Sequence, residues 1–310
     1  MITTVTLNAA VDKTYYMDSF ATHQVNRVRR VLTEPGGKGN NVAKMIKLLG
    51  GEVTASGCIG GDNGQLIDHL LQTRKINTDF VMTSGESRIC LNIIDESSHY
   101  ASTELLEPGL TISSSQWIAI KQKIQQLAQL STIIVFSGSL PQGVATNGYA
   151  ELIEIVQQAG AHAFLDTSGA AFTDSIQAKP YFIKPNQHEL EQWSNTSLTT
   201  DQQYIDTAWL LINHGIENVC ITRGSQGAIA IINKQVYQVI SPSIQAINTV
   251  GCGDAFVAGM AFATLRQYDP IQQLKLASAV ASANALSEKA GDMDYATYLE
   301  LESAVQVIPL

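Results

Sequence analysis

From Thr3 onward, short β-branched runs alternate with amphipathic stretches, and this rhythm constrains the fold more than any other feature of the chain. The runs are TTVTLN, EVTASGCIG, TIIVFSG, HAFLD, YFIKPN, NVCITRG and GAIAII. Strands separated by helices imply a mostly parallel sheet covered by helices, so the expected fold class is α/β. Most of the runs end in glycine, asparagine, aspartate or serine. In open α/β sheets ligands gather at the carboxyl ends of strands, which gives these polar endings weight as site candidates.

Helices are expected between the runs. After GGKGNN, the apolar residues Val42, Met45, Ile46 and Leu49 recur at helical spacing, and Gly50-Gly51 ends the pattern. Further helices are expected through YAELIEIVQQAG, YIDTAWLLINHG and PIQQLKLASAVASANALSEKAG. Two stretches break the rhythm. Asp12–Glu34 and Arg88–Leu105 hold the extended-looking pieces TYYMDSF, NRVRRVLTE, ICLNIIDE and ASTELLE without a long helix between them. They are expected to pair into a small sheet standing off the main one, a lid over its strand ends made of segments about 12–34 and 88–107 within a single domain spanning 1–310.

The 310 residues are 45% hydrophobic, enough for a large core, and the formal net charge of −9 argues against non-specific attraction to nucleic acid or to an anionic membrane. Any basic residues that read an anionic ligand must then be clustered. Cys58, Cys90, Cys220 and Cys252 form no CxxC pair, so neither a zinc site nor a disulfide framework is expected, and a reducing cytoplasm fits. The N-terminus enters a strand-like pattern at once, and the longest apolar segment, near Ala255–Leu265, is too short for a membrane span and reads as a core helix.

The stretch NTVGCGDAFVAG, Asn248 to Gly259, sets glycines around Cys252 and Asp254 before an apolar run. It is neither a P-loop nor a dinucleotide fingerprint, and GGKGNN fails both patterns too. A glycine-rich helix start still offers convergent N–H groups and the positive end of the helix dipole to an anion. Asp254 beside it would repel that anion unless the carboxylate has another task. It could cap the helix, or it could take a proton from a nucleophile while the amides of Gly251, Cys252 and Gly253 cradle developing charge.

These residues carry a resemblance. NTVGCGDAFVAG is similar to the C-terminal signature of the PfkB (ribokinase-like) carbohydrate kinases, and PGGKGNNVAKMIKLLG to their N-terminal signature. TLNAAVD, SGSLPQG, DTSG, KPNQHEL and TRGSQGA follow the family's order between them. GGKG with its lysine resembles the 1-phosphofructokinase and tagatose-6-phosphate kinase subgroup. Ala9 stands where the subgroup usually has proline, and Cys252 where alanine or serine is usual; neither change removes a functional group.

The resemblance implies a ribokinase-like three-layer sandwich with a small β-sheet lid, and a kinase using ATP and Mg2+. It implies Asp254 as catalytic base with Gly251, Cys252 and Gly253 as anion hole. It assigns Lys184, Asn186, Thr222, Gly224, Gly227 and Asn284 to the nucleotide, and Glu189 with Asn186 to magnesium through water. Asp12, Gly37 and Asn41 match hydroxyl-binding positions, with Ser137 and Ser139 at the strand end nearby as further substrate-binding candidates. Lys38, Arg88 and Arg27 are the cations available for a substrate phosphate, the arginines as forks and the lysine as a point charge. Each has a plainer alternative: Arg27 lies in the basic run VNRVRR, Glu189 suits any first helical turn, and Asn284 suits a solvent-facing helix. The expected reaction turns a ketohexose monophosphate into a bisphosphate, with fructose 1-phosphate first and tagatose 6-phosphate second. A non-catalytic sugar-phosphate sensor is the rival from another class. Apolar residues in the lid pieces imply a homodimer through the lid.

Overall fold

The computed structural model describes residues 1–98 and 101–310; His99 and Tyr100, which fall inside the expected lid segment, lie outside the described residues. The first part of the chain forms β1 (Ile2–Thr6), β2 (Ala10–Met17), β3 (Arg30–Gly36), α1 (Lys38–Leu48), β4 (Val53–Ile59), α2 (Gly61–Thr73), β5 (Asn77–Met82), β6 (Arg88–Asp95) and β7 (Ala101–Leu106). The middle holds α3 (Ser114–Ala128), β8 (Ile133–Ser137), α4 (Gly148–Gln158), β9 (His162–Asp166), α5 (Gly169–Ser175), β10 (Phe182–Ile183), α6 (Gln187–Ser194) and α7 (Asp201–Asn213). It closes with β11 (Asn218–Thr222), β12 (Ala228–Ile232), β13 (Gln235–Ile240), α8 (Cys252–Leu265), α9 (Pro270–Ala285), α10 (Tyr295–Ala304) and β14 (Gln306–Pro309).

A ten-stranded sheet runs in the order β14-β13-β12-β11-β10-β9-β8-β1-β4-β5. From β11 to β5 its neighbours are parallel, while β12, β13 and β14 add an antiparallel edge. All five residues of β1 are buried, as a central strand covered on both faces requires. Ile2 joins a core with α1, α2, α8, α9 and α10, and Val5 joins a second core with α3, α4, α5, α6 and α7. Two cores on opposite faces of one sheet make three layers, so the fold class read from the alternation holds.

The second sheet has four strands in the order β3-β2-β6-β7, with β2 and β6 parallel and both outer pairings antiparallel. The four extended pieces outside the strand–helix rhythm are the four strands of this sheet. Two expected boundaries move. The strand in YFIKPN shrinks to Phe182–Ile183, since Pro185 has no N–H to give a ladder. The long helix expected to reach Gly291 stops as α9 at Ala285, because the Asn284 side chain accepts the Gly291 amide at 2.8 Å and folds the chain back.

α8 is buried continuously from Asp254 to Ala263 and crosses α9 closely: a Cβ at Gly259 would lie 2.6 Å from Ala277 Cα. This crossing holds the mouth of α8 where the parallel strands end.

Candidate active site

The carboxyl ends of the parallel strands bring Thr6, Ser137, Asp166, Lys184 and Thr222 to one edge of the sheet. A cavity of about 920 Å³ opens there, bounded on one side by the four-stranded sheet through Asp12, Thr14, Leu32, Glu34, Cys90, Asn92, Glu104 and Leu106. Two helix mouths face it. α1 begins at Gly37, with φ of 96°, and α8 begins at Gly251, with φ of 81°; neither cap supplies a side-chain hydrogen bond. At the α8 mouth the Cys252 amide makes a long bond to Thr249 O at 3.3 Å, which a stronger acceptor can replace, and helix mouths of this kind suit an anion. A Cβ at Gly253 would lie 3.2 Å from Lys184 Nζ, so any side chain there would press into the same space.

Asp254 stands at the α8 mouth, 4% exposed, with its Oδ2 accepting from Asn41 Nδ2 at 2.8 Å. Burial pushes its carboxyl up to about 6 against the pull of Lys38, Asn41 and Lys184, with Asp166 adding to the rise. A base of that strength is ionised at neutral pH and more basic than an ordinary carboxylate, the range suited to accepting a hydroxyl proton. Asp12 is likewise pushed up to about 6 by burial, with Lys44 and Arg88 opposing. Its carboxyl rests on bare backbone, since a Cβ at Gly36 would lie 2.1 Å from Asp12 Cγ.

Two lysines converge on one buried carboxylate. Asp166, 1% exposed, lies 3.2 Å from Lys184 Nζ and 3.4 Å from Lys38 Nζ. Burial alone would raise Asp166, but the two ammonium groups overcome it and hold the carboxyl below its ordinary value. Asp166 in turn holds Lys38 above its ordinary value, so this lysine stays charged. Arg88 uses Nε on Asn8 O and one terminal nitrogen on Glu107 O, both at 3.2 Å, and lines the cavity with the rest of its fork. Four buried polar atoms in lining residues find no partner within the chain: Thr6 Oγ1, Asn8 Oδ1, Asn41 Oδ1 and Ser137 Oγ. Buried polar atoms are normally bonded, so this set fits a ligand rich in hydroxyls.

The family model for pfkB family carbohydrate kinases matches residues 5–296. The chain belongs to this family. Tagatose-6-phosphate kinase of Staphylococcus epidermidis is 35% identical over 311 residues, covering 99% of each chain. Phosphofructokinase-2 of Escherichia coli, solved in complex with potassium, superposes with a TM-score of 0.92 at 26% identity over 98% of each chain. The same enzyme in complex with fructose-6-phosphate gives a TM-score of 0.91 at 25% identity over 98% of each chain.

In this pfkB-family chain the cavity gathers most of the residues picked out from the sequence. Asp12, Gly37, Lys38, Asn41, Arg88, Ser137, Ser139, Lys184, Asn186, Glu189, Thr222, Gly224, Gly227 and Gly251 to Asp254 all line it. Gly227 has a packing reason as well: a Cβ there would lie 2.0 Å from Val239 O. Two expected contacts do not form. Arg27 is exposed and is not among the lining residues, in keeping with a solvated basic run. Asn284 is fully buried and does not line the cavity. Its Nδ2 donates to Val250 O at 3.0 Å and its Oδ1 accepts from Gly291 N, which makes it a brace beneath the α8 mouth; Ala281, Ser282 and Ala285 present α9 to the cavity instead.

Asn186 and Glu189 are partly engaged. They form the capping box of α6, with Asn186 Oδ1 accepting the Glu189 amide and Glu189 Oε2 accepting the Asn186 amide, each at 2.8 Å. Glu189 Oε1 is the oxygen outside that exchange. No cluster of three His, Cys, Asp or Glu side chains suited to a metal occurs among the described residues. The thiol of Cys252 is pushed up by burial, so alkylation at neutral pH is expected to be slow.

Asp166 and Asn8 are site residues that the motif reading quoted but left without a role. DTSG placed Asp166 at a strand end, and TLNAAVD placed Asn8 at the first one. No helix is long and apolar enough to cross a membrane among the described residues.

Proposed function

We propose that this protein is an ATP- and Mg2+-dependent kinase that converts a ketohexose monophosphate into a bisphosphate, working as one unit with the four-stranded sheet as its lid. The observation that carries the reading is Asp254: a buried carboxylate raised to about 6, standing at a helix mouth of bare glycine amides, in one cavity with Lys38, Lys184 and Arg88.

When bound, ATP supplies the phosphoryl group and Mg2+ neutralises its charge. The residues present fit them. The amides of the Gly251 mouth and Lys184, held by Asp166, suit the nucleotide's phosphates, Thr222, Gly224 and Gly227 line the nucleotide end, and Glu189 Oε1 suits a metal-bound water. Asp12, Asn41 and the orphaned oxygens of Asn8 and Ser137 orient the sugar hydroxyls. Arg88 and Lys38 hold the sugar's phosphate, without Arg27. Asp254 takes the proton of the acceptor hydroxyl as that oxygen bonds to the transferred phosphorus, while the old phosphorus–oxygen bond breaks and ADP leaves with its electron pair. The amides of Gly251, Cys252 and Gly253 stabilise the charge that builds on the phosphoryl oxygens. The lid keeps water from competing as acceptor.

Tagatose 6-phosphate moves ahead of fructose 1-phosphate as first substrate on the name of the Staphylococcus epidermidis relative. Four free cysteines, two of them buried, support a reducing cytoplasm. The test is ADP release with ATP and Mg2+ against tagatose 6-phosphate, fructose 1-phosphate, fructose 6-phosphate, fructose, ribose and adenosine, ranked by kcat/KM. Preference for one ketohexose phosphate is expected. Turnover of an unphosphorylated sugar or nucleoside alone would remove the phosphate role from Lys38 and Arg88, and no turnover at all would favour a sugar-phosphate sensor.

A further inference from the structure

Lys44 is the one buried lysine of the cavity wall that the reaction just described leaves without a task. It sits on α1, 4% exposed, and donates from Nζ to Ala290 O at 2.7 Å. A charge this deep is costly unless it is well paired, and a neutral residue would fill the same volume at less cost. Its setting shows what the charge can act on. A Cβ at Gly291 would lie 2.6 Å from Lys44 Cε, and a Cβ at Gly251 would lie 3.1 Å from Ala290 Cβ and 3.2 Å from Gly291 N. The Ala290–Gly291 turn is therefore wedged between the lysine and the glycine that opens α8. Asn284 secures the other side of that turn by accepting the Gly291 amide, while donating to Val250 O. Asn41, one turn before Lys44 on α1, holds Asp254.

We propose that Lys44 is a positioning residue for phosphoryl transfer: its ammonium pins the Ala290–Gly291 turn against Gly251 and so fixes the amide cradle at the α8 mouth. The proposal rests on the kinase reading for its rate effect, but not for its structural effect. A backbone cradle acts only if its N–H groups already point where charge develops, and a small misplacement lowers turnover far more than binding. A second cavity, about 210 Å³, lies against Lys44 together with Glu34, Lys47, Arg74, Lys289 and Asp292, giving a small cation room to replace the side chain's head if the stem is cut away.

The experiment uses Lys44→Met, Lys44→Arg and Lys44→Ala in the full chain, with two readouts. By hydrogen exchange, Lys44→Met is expected to speed exchange of the amides at 250–253 and 290–292 while leaving α3 and α4 unchanged, whether or not the substrate has been identified. In turnover, Lys44→Met is expected to lower kcat by about 10- to 100-fold with the sugar-phosphate KM within about threefold. Lys44→Arg should recover most of the rate, and ethylammonium should raise the rate of Lys44→Ala without affecting the wild type. Unchanged exchange at 250–253 in Lys44→Met would overturn the proposal. So would a lost rate that neither Lys44→Arg nor ethylammonium recovers, since the lysine then acts through packing alone. A wild type that turns over no sugar phosphate would instead defeat the kinase reading, with the exchange result still deciding the role of Lys44.

Discussion

At Asp254 the role proposed for the carboxylate and the stability of the fold compete at one position. Burial raises its carboxyl from the ordinary aspartate range to about 6, so between about pH 4 and 6 the folded chain binds more protons than the unfolded one. Stability from this group is present below about 4 and is lost as pH rises through 6, so at neutral pH the ionised carboxylate is a burden. Asp254→Asn should therefore gain roughly 1–3 kcal/mol at pH 7, with the gain fading as pH falls toward 4. The same change should lower kcat by about a thousandfold or more while nucleotide binding persists. Thermal melts across pH, calorimetry with ADP and steady-state turnover check the three parts, and near-normal turnover would remove Asp254 as the base. In the wild type, kcat/KM should rise with pH through about 6, because Asp254 and Asp12 both lose their protons there. A flat profile from pH 5 to 7.5 would contradict the assignment of either carboxylate to a step that needs it ionised.

The glycines at the element boundaries belong to a different scale, since each sets where a strand or helix meets the site. β3 ends at Gly36, and a Cβ there would enter the Asp12 carboxyl at 2.1 Å. Gly36→Ala is expected to displace Asp12, raising the sugar-phosphate KM about tenfold or more with a smaller effect on the ATP KM; equal changes in both would place the damage in the sheet and not in the sugar site. This scale also separates what the sequence made readable from what it did not. Strand ends and glycine mouths were legible because period and composition change together there, as at HAFLD, which is β9 residue for residue. Asn284 was not, because a polar residue in an alanine-rich helix looks the same whether it faces a ligand or braces a turn seven residues later. Asp166 was visible at its strand end, but its partners lie 18 residues downstream in Lys184 and 128 upstream in Lys38, and sequence spacing carries no sign of such a meeting. Asn186 and Glu189 satisfied two patterns at once, a metal-linked NxxE and an ordinary capping box, and only the folded structure shows that the box uses two of their three side-chain oxygens.

On the scale of the whole molecule, the four-stranded sheet has two faces with different duties. Along β7, Glu104 and Leu106 line the cavity, so by strand alternation Leu105 between them points to the other face. Leu105 is 55% exposed, and Val31 on β3, at the opposite edge of the sheet, is 49% exposed. The outer strands also present unpaired backbone edges, which natural sheets rarely leave open beside apolar side chains. A second copy of the chain would cover both, and would stiffen the four-stranded sheet proposed as the lid. The expected state is a dimer through this sheet. Sedimentation velocity at micromolar concentration should give twice the chain mass of 33.5 kDa, and Leu105→Glu should shift it to the single chain while the fold is retained by circular dichroism. If the lid needs its partner for stiffness, the Leu105→Glu monomer should also release more ADP per bisphosphate formed, because water then reaches the phosphoryl group more often. A monomeric wild type with tight coupling would show that the sheet closes the cavity unaided and that its apolar outer face serves something else.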